Sequence, residues 1–472
     1  FSINTGVLTN TNNNFATVIY TITPKLLGCA DGPQQVVNVI VEPTPQADVP
    51  VNNLPVICNG GTPSIDVTSP TAPSVAGNLT FDVSVTLPAG VSGTGIAGSG
   101  VTGASAPFSI NAGTLTNSTN AFKTVTYTIT PKLSGCTNGP TKVVNVIVEP
   151  TPQAAISNTA AVVCNGGNVN LTITSPTTPN TPANLTFDLV ATSSDPGNTG
   201  GTAFADLLGQ SFPLSINGTL TNASNNFITI TYTVTPKLAG CADGPAQVTT
   251  VKIEPTPVAS INNTTPIVCT ASGVSVAITS PTVPNTPANL RFDVAVSSTN
   301  PGVTGGTAFV NLSNQPFPFT INGTLTNSSD AFITVTFTVT PELSGCASGT
   351  PVPTTVIVEP TPKAVATNNA PVICDAGSPD ISVVSPTAPN TPANLTFDVA
   401  VTLPLGITGT GVAGSGLIGV SAPFNINTGT LTNSSSSFKT VTYTITPKLS
   451  GCSNGTPQVV NVIVEPTPTA TF

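Results

Sequence analysis

An all-β chain of tandem sandwich domains is predicted by three observations: a domain-length repeat, period-two alternation inside it, and turn residues between the alternating runs. The phrase Glu-Pro-Thr-Pro closes an apolar run five times, at Glu42, Glu149, Glu254, Glu359 and Glu465, in steps of 105 to 107 residues. A unit of that length can bury a core of its own, so the repeats are expected to be separate domains and not turns of a solenoid. Aligned on the phrase, residues 1–45 are the C-terminal part of a first unit. Four full units follow at 46–152, 153–257, 258–362 and 363–468, and 469–472 begins another.

Alternation identifies the strands. In "VTYTIT" (125–130), Val125, Tyr127 and Ile129 share one face and three threonines the other. The run "TKVVNVIVEP" places Val144, Val146 and Val148 inward, "TFDVSVTLP" does so for Phe81, Val83, Val85 and Leu87, and "PSIDVTSP" for Ile65 and Val67. Threonine is β-branched and suits the wet face of a strand, while good helix formers show no helical period. The 47 prolines and 41 glycines punctuate these runs. About seven short strands per hundred residues, spaced this way, is the pattern of an immunoglobulin-like sandwich.

Composition excludes several function classes. The chain has no His, and only 10 Lys and Arg against 19 Asp and Glu in 472 residues, so most groups used in acid–base or metal chemistry near neutral pH are missing. No enzyme activity and no cofactor are expected. A net charge of -9 argues against nucleic acid and anionic membrane surfaces as partners. No apolar run reaches the ~20 residues that a spanning helix needs. With no Met in the sequence, Phe1 is expected to follow further chain.

Nine cysteines recur in two contexts. One is "ICNGG"-like, at Cys58, Cys164, Cys269 and Cys374; the other is a Gly-Cys turn, at Cys29, Cys136, Cys241, Cys346 and Cys452. Pairing within units would join Cys58–Cys136, Cys164–Cys241, Cys269–Cys346 and Cys374–Cys452, and would leave Cys29 unpaired. Pairing across a boundary would join cysteines 28 or 29 residues apart and leave Cys452 unpaired. Loop entropy separates the two weakly, at roughly 4.5 against 3.6 kcal/mol. The short loop would have to double back at Pro-Thr-Pro, which prefers extended geometry, so the within-unit pairing is expected. Regular cysteine pairs also point to an oxidising, extracellular location.

The stretch "VTYTITPKLSGCTNGPTKVVNVIVEPTP" (125–152) and its copies at 230–257, 335–362 and 441–468 resemble the end of the PKD-like, immunoglobulin-type repeats of large Bacteroidetes surface proteins. That resemblance covers every unit. It implies type IX secretion to the bacterial cell surface and a role in adhesion, with gliding motility among the activities served by such proteins.

Other motifs have plainer readings. "GTGIAGSG" (93–100) contains Gly-x-Gly-x-x-Gly, but no helical pattern follows, so a mobile glycine loop is expected and not a dinucleotide site. Asp82, Asp188, Asp293 and Asp398 are assigned to the polar face of their strand, where charge discourages edge pairing. The joint glutamates gain one nearby acid, Asp48, at the first joint and none in "EPTPQAAISN", too few oxygens for calcium. Lys25, Lys132, Lys237 and Lys448 occupy equivalent positions, but Glu342 replaces them in one unit, against a conserved lysine crosslink. The segment after the Phe-Asp strand comes in two types, "VTLPAGVSGTG" and "SSDPGNTGG", and drift between copies is preferred to adhesive tips.

The combined expectation is an elongated array serving as the stalk or filament of a very large secreted adhesin, acting mechanically. Its ligand, a surface or polysaccharide, is unnamed, and its links to secretion and motility machinery would lie elsewhere. Lateral self-association is open. The alternatives are an array of glycan- or protein-binding modules, or a spacer for an enzyme elsewhere in the chain.

Overall fold

The computed structural model describes residues 1–4, 6–50 and 52–470. The last two residues of the stub expected at 469–472 lie outside the described residues. The chain forms two compact units: residues 1–221 with 229–252, and residues 222–228 with 253–472.

Residues 46–152 show how the alternation becomes a sandwich. One sheet has five strands in the order Val56–Ile57, Lys142–Val148, Lys123–Leu133, Leu79–Thr86, Val101–Ala104. All neighbours are antiparallel except the first pair, in which Val56–Ile57 runs parallel to Lys142–Val148. The facing strands pair Ile65–Val67 with Phe108–Ile110, and Val91–Gly93 with Leu115–Asn117. Between them lies one core, in which Ile65, Val67, Phe81, Ile110, Leu115, Val125, Tyr127, Ile129, Val146 and Val148 are fully buried. Each such side chain contributes about 1.5–3 kcal/mol by leaving water, so the apolar members of the alternation fix which face turns inward.

The same five-stranded order recurs three more times. In 258–362, for example, it reads Ile267–Cys269, Val352–Glu359, Ile333–Leu343, Leu290–Ser298, Leu312–Pro316. There the facing sheet is more continuous, with Ser260–Asn263, Ser272–Thr279, Phe319–Asn327 and Thr304–Gly305 in sequence. A bulge recurs beside the Phe-Asp strand, between Phe81 and Val83, Phe187 and Leu189, Phe292 and Val294, and Phe397 and Val399. Residues 16–41 form only a two-stranded pair, Ala16–Ile22 with Gln35–Val41, and leave Ile19, Val36, Val37 and Ile40 exposed.

The glycine-rich segment differs from expectation. Gly95–Ser99 is a short helical turn packed onto the sheet, with Ala97 fully buried. A Cβ on Gly98 would sit 2.1 Å from the carbonyl carbon of Gly93, so the glycines permit close backbone contact and the loop is a packed element. Its purpose is visible at Ala97, whose carbonyl accepts the Tyr127 hydroxyl at 2.7 Å. The second loop type delivers the same contact, Tyr232 to Ala203 at 3.0 Å. Burial pushes the phenols of Tyr127, Tyr232 and Tyr443 up to about 12. In 258–362 Phe337 takes the tyrosine position and makes no such bond.

The Phe-Asp strand is not an edge either. Leu79–Thr86 lies between two strands, and Asp82 is ion-paired with Lys132 across the ladder while accepting the Gly103 N–H at 2.9 Å. Lys237 stands 2.6 Å from Asp188, and Lys448 pairs with Asp398. The lysine beside each of these three carboxylates, then the backbone N–H, hold them below the usual aspartate range. Where Glu342 replaces the lysine, its cross-strand neighbour is Arg291, which stands in the place of Thr80, and the aspartate is retained as Asp293.

Candidate functional site at the repeat joints

The Glu-Pro-Thr-Pro phrase recurs at the joints, and the structure makes the first four hydrogen-bonded seats. Glu149 ends the last strand of its repeat, only 6% exposed, and both carboxylate oxygens lie 3.1 Å from the backbone N–H of Asn180 in the following repeat. Glu254 meets Asn285 N–H at 2.9 Å, Glu359 meets Asn390 N–H at 3.1 Å, and Glu42 meets Ser74 N–H at 3.1 Å. Desolvation pushes the Glu149 and Glu359 carboxyls above the usual glutamate range, and the backbone N–H partly offsets that rise.

Three further contacts close the seat. Residues following the buried asparagine hook onto the Ser-Pro-Thr loop of the next repeat: Phe122 N–H donates to Thr178 O at 3.0 Å and Thr178 N–H to Asn120 O at 2.8 Å. At a later joint Phe332 N–H donates to Ala388 O at 3.0 Å, Ala388 N–H to Asp330 O at 2.7 Å, and Lys363 pairs with Asp330 at 2.6 Å. The residue after Pro-Thr-Pro is clasped by the same loop, with Gln153 N–H donating to Thr177 Oγ1 at 2.9 Å. Pro152 is buried against Gly244 so closely that a Cβ there would stand 1.8 Å from the proline carbonyl oxygen.

A buried asparagine organises the hook. Asn117 donates from Nδ2 to the carbonyls of Ala121 at 2.8 Å and Val148 at 3.0 Å, while its Oδ1 accepts from Thr119 N–H. Asn222, Asn327 and Asn433 repeat the arrangement. Neither these residues nor the Ser-Pro-Thr loop was anticipated as part of a joint. Their signal is the verbatim recurrence of "LTN" and "SPT" in every full repeat.

The disulfides depart from the expected within-unit pairing, and from its 28-residue alternative as well. Cys58 is bonded to Cys241 and Cys269 to Cys452, each spanning 183 residues, with Cα separations of 5.5 and 5.6 Å. Each therefore ties one repeat to its successor. Cys164 and Cys346 are disulfide-bonded too, whereas Cys29, Cys136 and Cys374 are free and exposed. None of the bridges Cys58–Cys136, Cys164–Cys241, Cys269–Cys346 or Cys374–Cys452 forms.

Strand direction supplies the reason. Cys58 follows Val56–Ile57, which runs parallel to Lys142–Val148, so it emerges at the downstream end of its repeat, where Glu149 N–H bonds Ile57 O at 2.8 Å. Cys136 follows Lys123–Leu133, an 11-residue strand running the other way, and so lies at the upstream end. At ~3.3 Å per residue the two are roughly 30 Å apart, far beyond a bridge's reach. The 28-residue alternative would join opposite far ends of two neighbouring repeats. Downstream Cys58 and upstream Cys241 face each other across the joint.

The joint carboxylates Glu149, Glu254 and Glu359 are each engaged by a backbone N–H, and the Glu359 joint adds Asp330, which is paired with Lys363. Among the described residues no cluster of three or more His, Cys, Asp or Glu side chains is assembled as a metal would need. No helix among them is long and apolar enough to cross a membrane.

Residues 409–468 match the PKD-like domain family. No curated protein matches the chain. Among solved structures, the ICAM-5 D1-D4 ectodomain fragment is 11% identical with a TM-score of 0.32, covering 88% of this chain and 99% of that one. Invasin, described as a bacterial integrin-binding protein, is 13% identical with a TM-score of 0.28, covering 90% and 79%. The Escherichia coli adhesin FdeC is 14% identical with a TM-score of 0.30, covering 67% and 99%. At such scores none of them bears on what this chain binds.

Proposed function

We propose that this chain is the repetitive region of an extracellular, surface-attached adhesin and that its work is mechanical. The observation that carries the reading is the joint, where successive sandwiches are held by a buried glutamate, a backbone hook and a disulfide to the next repeat. A catalytic or ligand-binding module needs none of this between its copies, whereas a load-bearing stalk does. Bridged cysteines favour an oxidising location outside the cytoplasm. A chain without His, with its carboxylates used in ion pairs and joints, suits a non-catalytic role.

The finer reading adds a very large parent protein of the Bacteroidetes, exported by type IX secretion and engaged in surface attachment and gliding. Its partners would be an extracellular surface or polysaccharide and, through other regions, the secretion and motility machinery.

The test is made on cells producing the parent protein. Antibody against the repeats is expected to label intact cells, and deleting two repeats in frame is expected to reduce retention on a surface under shear. Unlabelled intact cells, or retention indifferent to the deletion, would remove the reading.

A further inference from the structure

Following the covalent bonds gives a route through the chain much shorter than the backbone. Cys58 is bonded to Cys241, the backbone runs 28 residues to Cys269, and Cys269 is bonded to Cys452. A pull applied to the two ends therefore need not pass through residues 59–240 or 270–451. The segment that must carry it holds the Gly-Cys turn, the strand Gln247–Ile253, the Glu254 joint, and the strands Ser260–Asn263 and Ile267–Cys269.

We infer that the joint-spanning disulfides form a tension-bearing covalent thread that relieves the long core strands of load. This deepens the mechanical reading above and rests on it. In a string of separately bridged domains, every domain stays in series and each yields in turn. Here the long strands that build the cores, Ile228–Leu238 and Lys439–Leu449 among them, lie inside the closed loops and outside the loaded path. The loaded joint is also bonded to its neighbours, through Glu254 to Asn285 and through Val258 N–H to Thr282 Oγ1 at 2.9 Å. Strength is placed on the bonds that see force. The long strands hold the cysteines in register without themselves being stretched, while Gln247–Ile253, with Val251 and Ile253 fully buried, is the core strand on the loaded path.

The thread makes a prediction that within-unit bridges do not. Pulled by its ends with disulfides intact, the chain can pay out only the segments before Cys58, between Cys241 and Cys269, and after Cys452, roughly a quarter of its full contour length at up to 3.6 Å per residue. Bridges confined to single units would leave about a third.

Single-molecule pulling of the full chain through terminal handles reads this directly. Reduction with dithiothreitol is expected to raise the total released length about four- to fivefold, and Cys241→Ser without reduction to raise it about two- to threefold. A rise of about threefold on reduction, with about 1.5-fold for Cys241→Ser, would overturn the thread in favour of within-unit bridges, and an unchanged length would overturn it outright. Because a variant can fold poorly, the native chain is also digested without reduction and its linked peptides identified. A Cys58–Cys241 peptide supports the thread, and a Cys58–Cys136 peptide defeats it. Neither measurement depends on cell-surface attachment, so the thread can fail while the adhesive role stands, and the reverse.

Discussion

Glu149 and Asn180, 31 residues apart and in successive repeats, are joined by a carboxylate that receives one backbone N–H on both its oxygens. The carboxylate is buried at a cost, and the N–H would be an orphan without it. Removing the acceptor should therefore hurt more than removing the charge. Glu149→Ala is expected to destabilise its joint by about 1–3 kcal/mol, the usual penalty for an unpaired buried group, whereas Glu149→Gln keeps an acceptor and should cost little. Chemical denaturation of the two variants beside the native chain checks the ranking. Equal losses would mean that the charge, and not the hydrogen bond, matters.

The direction of the glutamate shift sets a pH dependence. Burial raises the Glu149 and Glu359 pKa in the folded chain, so between the unfolded and the folded value the folded state holds more protons. Joint stability then falls as pH rises through that window and is highest below it. Asp82, Asp188 and Asp398 act oppositely: their depressed folded pKa gives stability that is present above the unfolded value and lost as pH falls through the folded one. The melting temperature of the native chain should rise as pH is lowered from neutrality towards the ordinary glutamate value of 4.5, and the Glu149→Gln, Glu359→Gln double variant should flatten that rise.

Gly244 is forced by proximity. A methyl group there would lie 1.8 Å from the Pro152 carbonyl oxygen, a backbone atom that cannot rotate away. Gly244→Ala is expected to loosen the seat of Pro-Thr-Pro by about 1–3 kcal/mol, as other overpacking changes do. Faster proteolysis near Pro152 reports it, and Gly240→Ala is not an equivalent control because that glycine has positive φ. Gly77, with open space around it and ordinary φ, is the proper control.

Tyr127→Phe removes the hydroxyl bonded to Ala97 O and should cost about 1 kcal/mol. The repeat at 258–362 already carries Phe337 at this place, so the sandwich form itself should survive. A melting temperature unchanged within error would show that the buried bond contributes nothing net.

Much of the fold was legible because its cause is local. Val125, Tyr127 and Ile129 alternate with threonine, and burial follows that alternation residue by residue. The chemistry of the joint was not legible. Glu-Pro-Thr-Pro announced a boundary, but only the fold brings Asn180 to Glu149, since the N–H in question belongs to the backbone and has no sequence signature. The disulfides were misread for a related reason. Which end of a sandwich Cys58 occupies depends on Val56–Ile57 running parallel to the last strand, a two-residue pairing that alternation cannot reveal. Asp82 was misplaced because edge and interior strands alternate alike, and only strand order separates them.

The parallel run of Val56–Ile57 has one more consequence. By putting one cysteine at the downstream end and its counterpart at the upstream end of the next repeat, it gives the bridged repeats a head and a tail. Cys58 thus meets Cys241, and Cys269 meets Cys452, by the same head-to-tail rule. A repeat is therefore directional, and reversing one in the chain would leave its cysteine facing away from its mate.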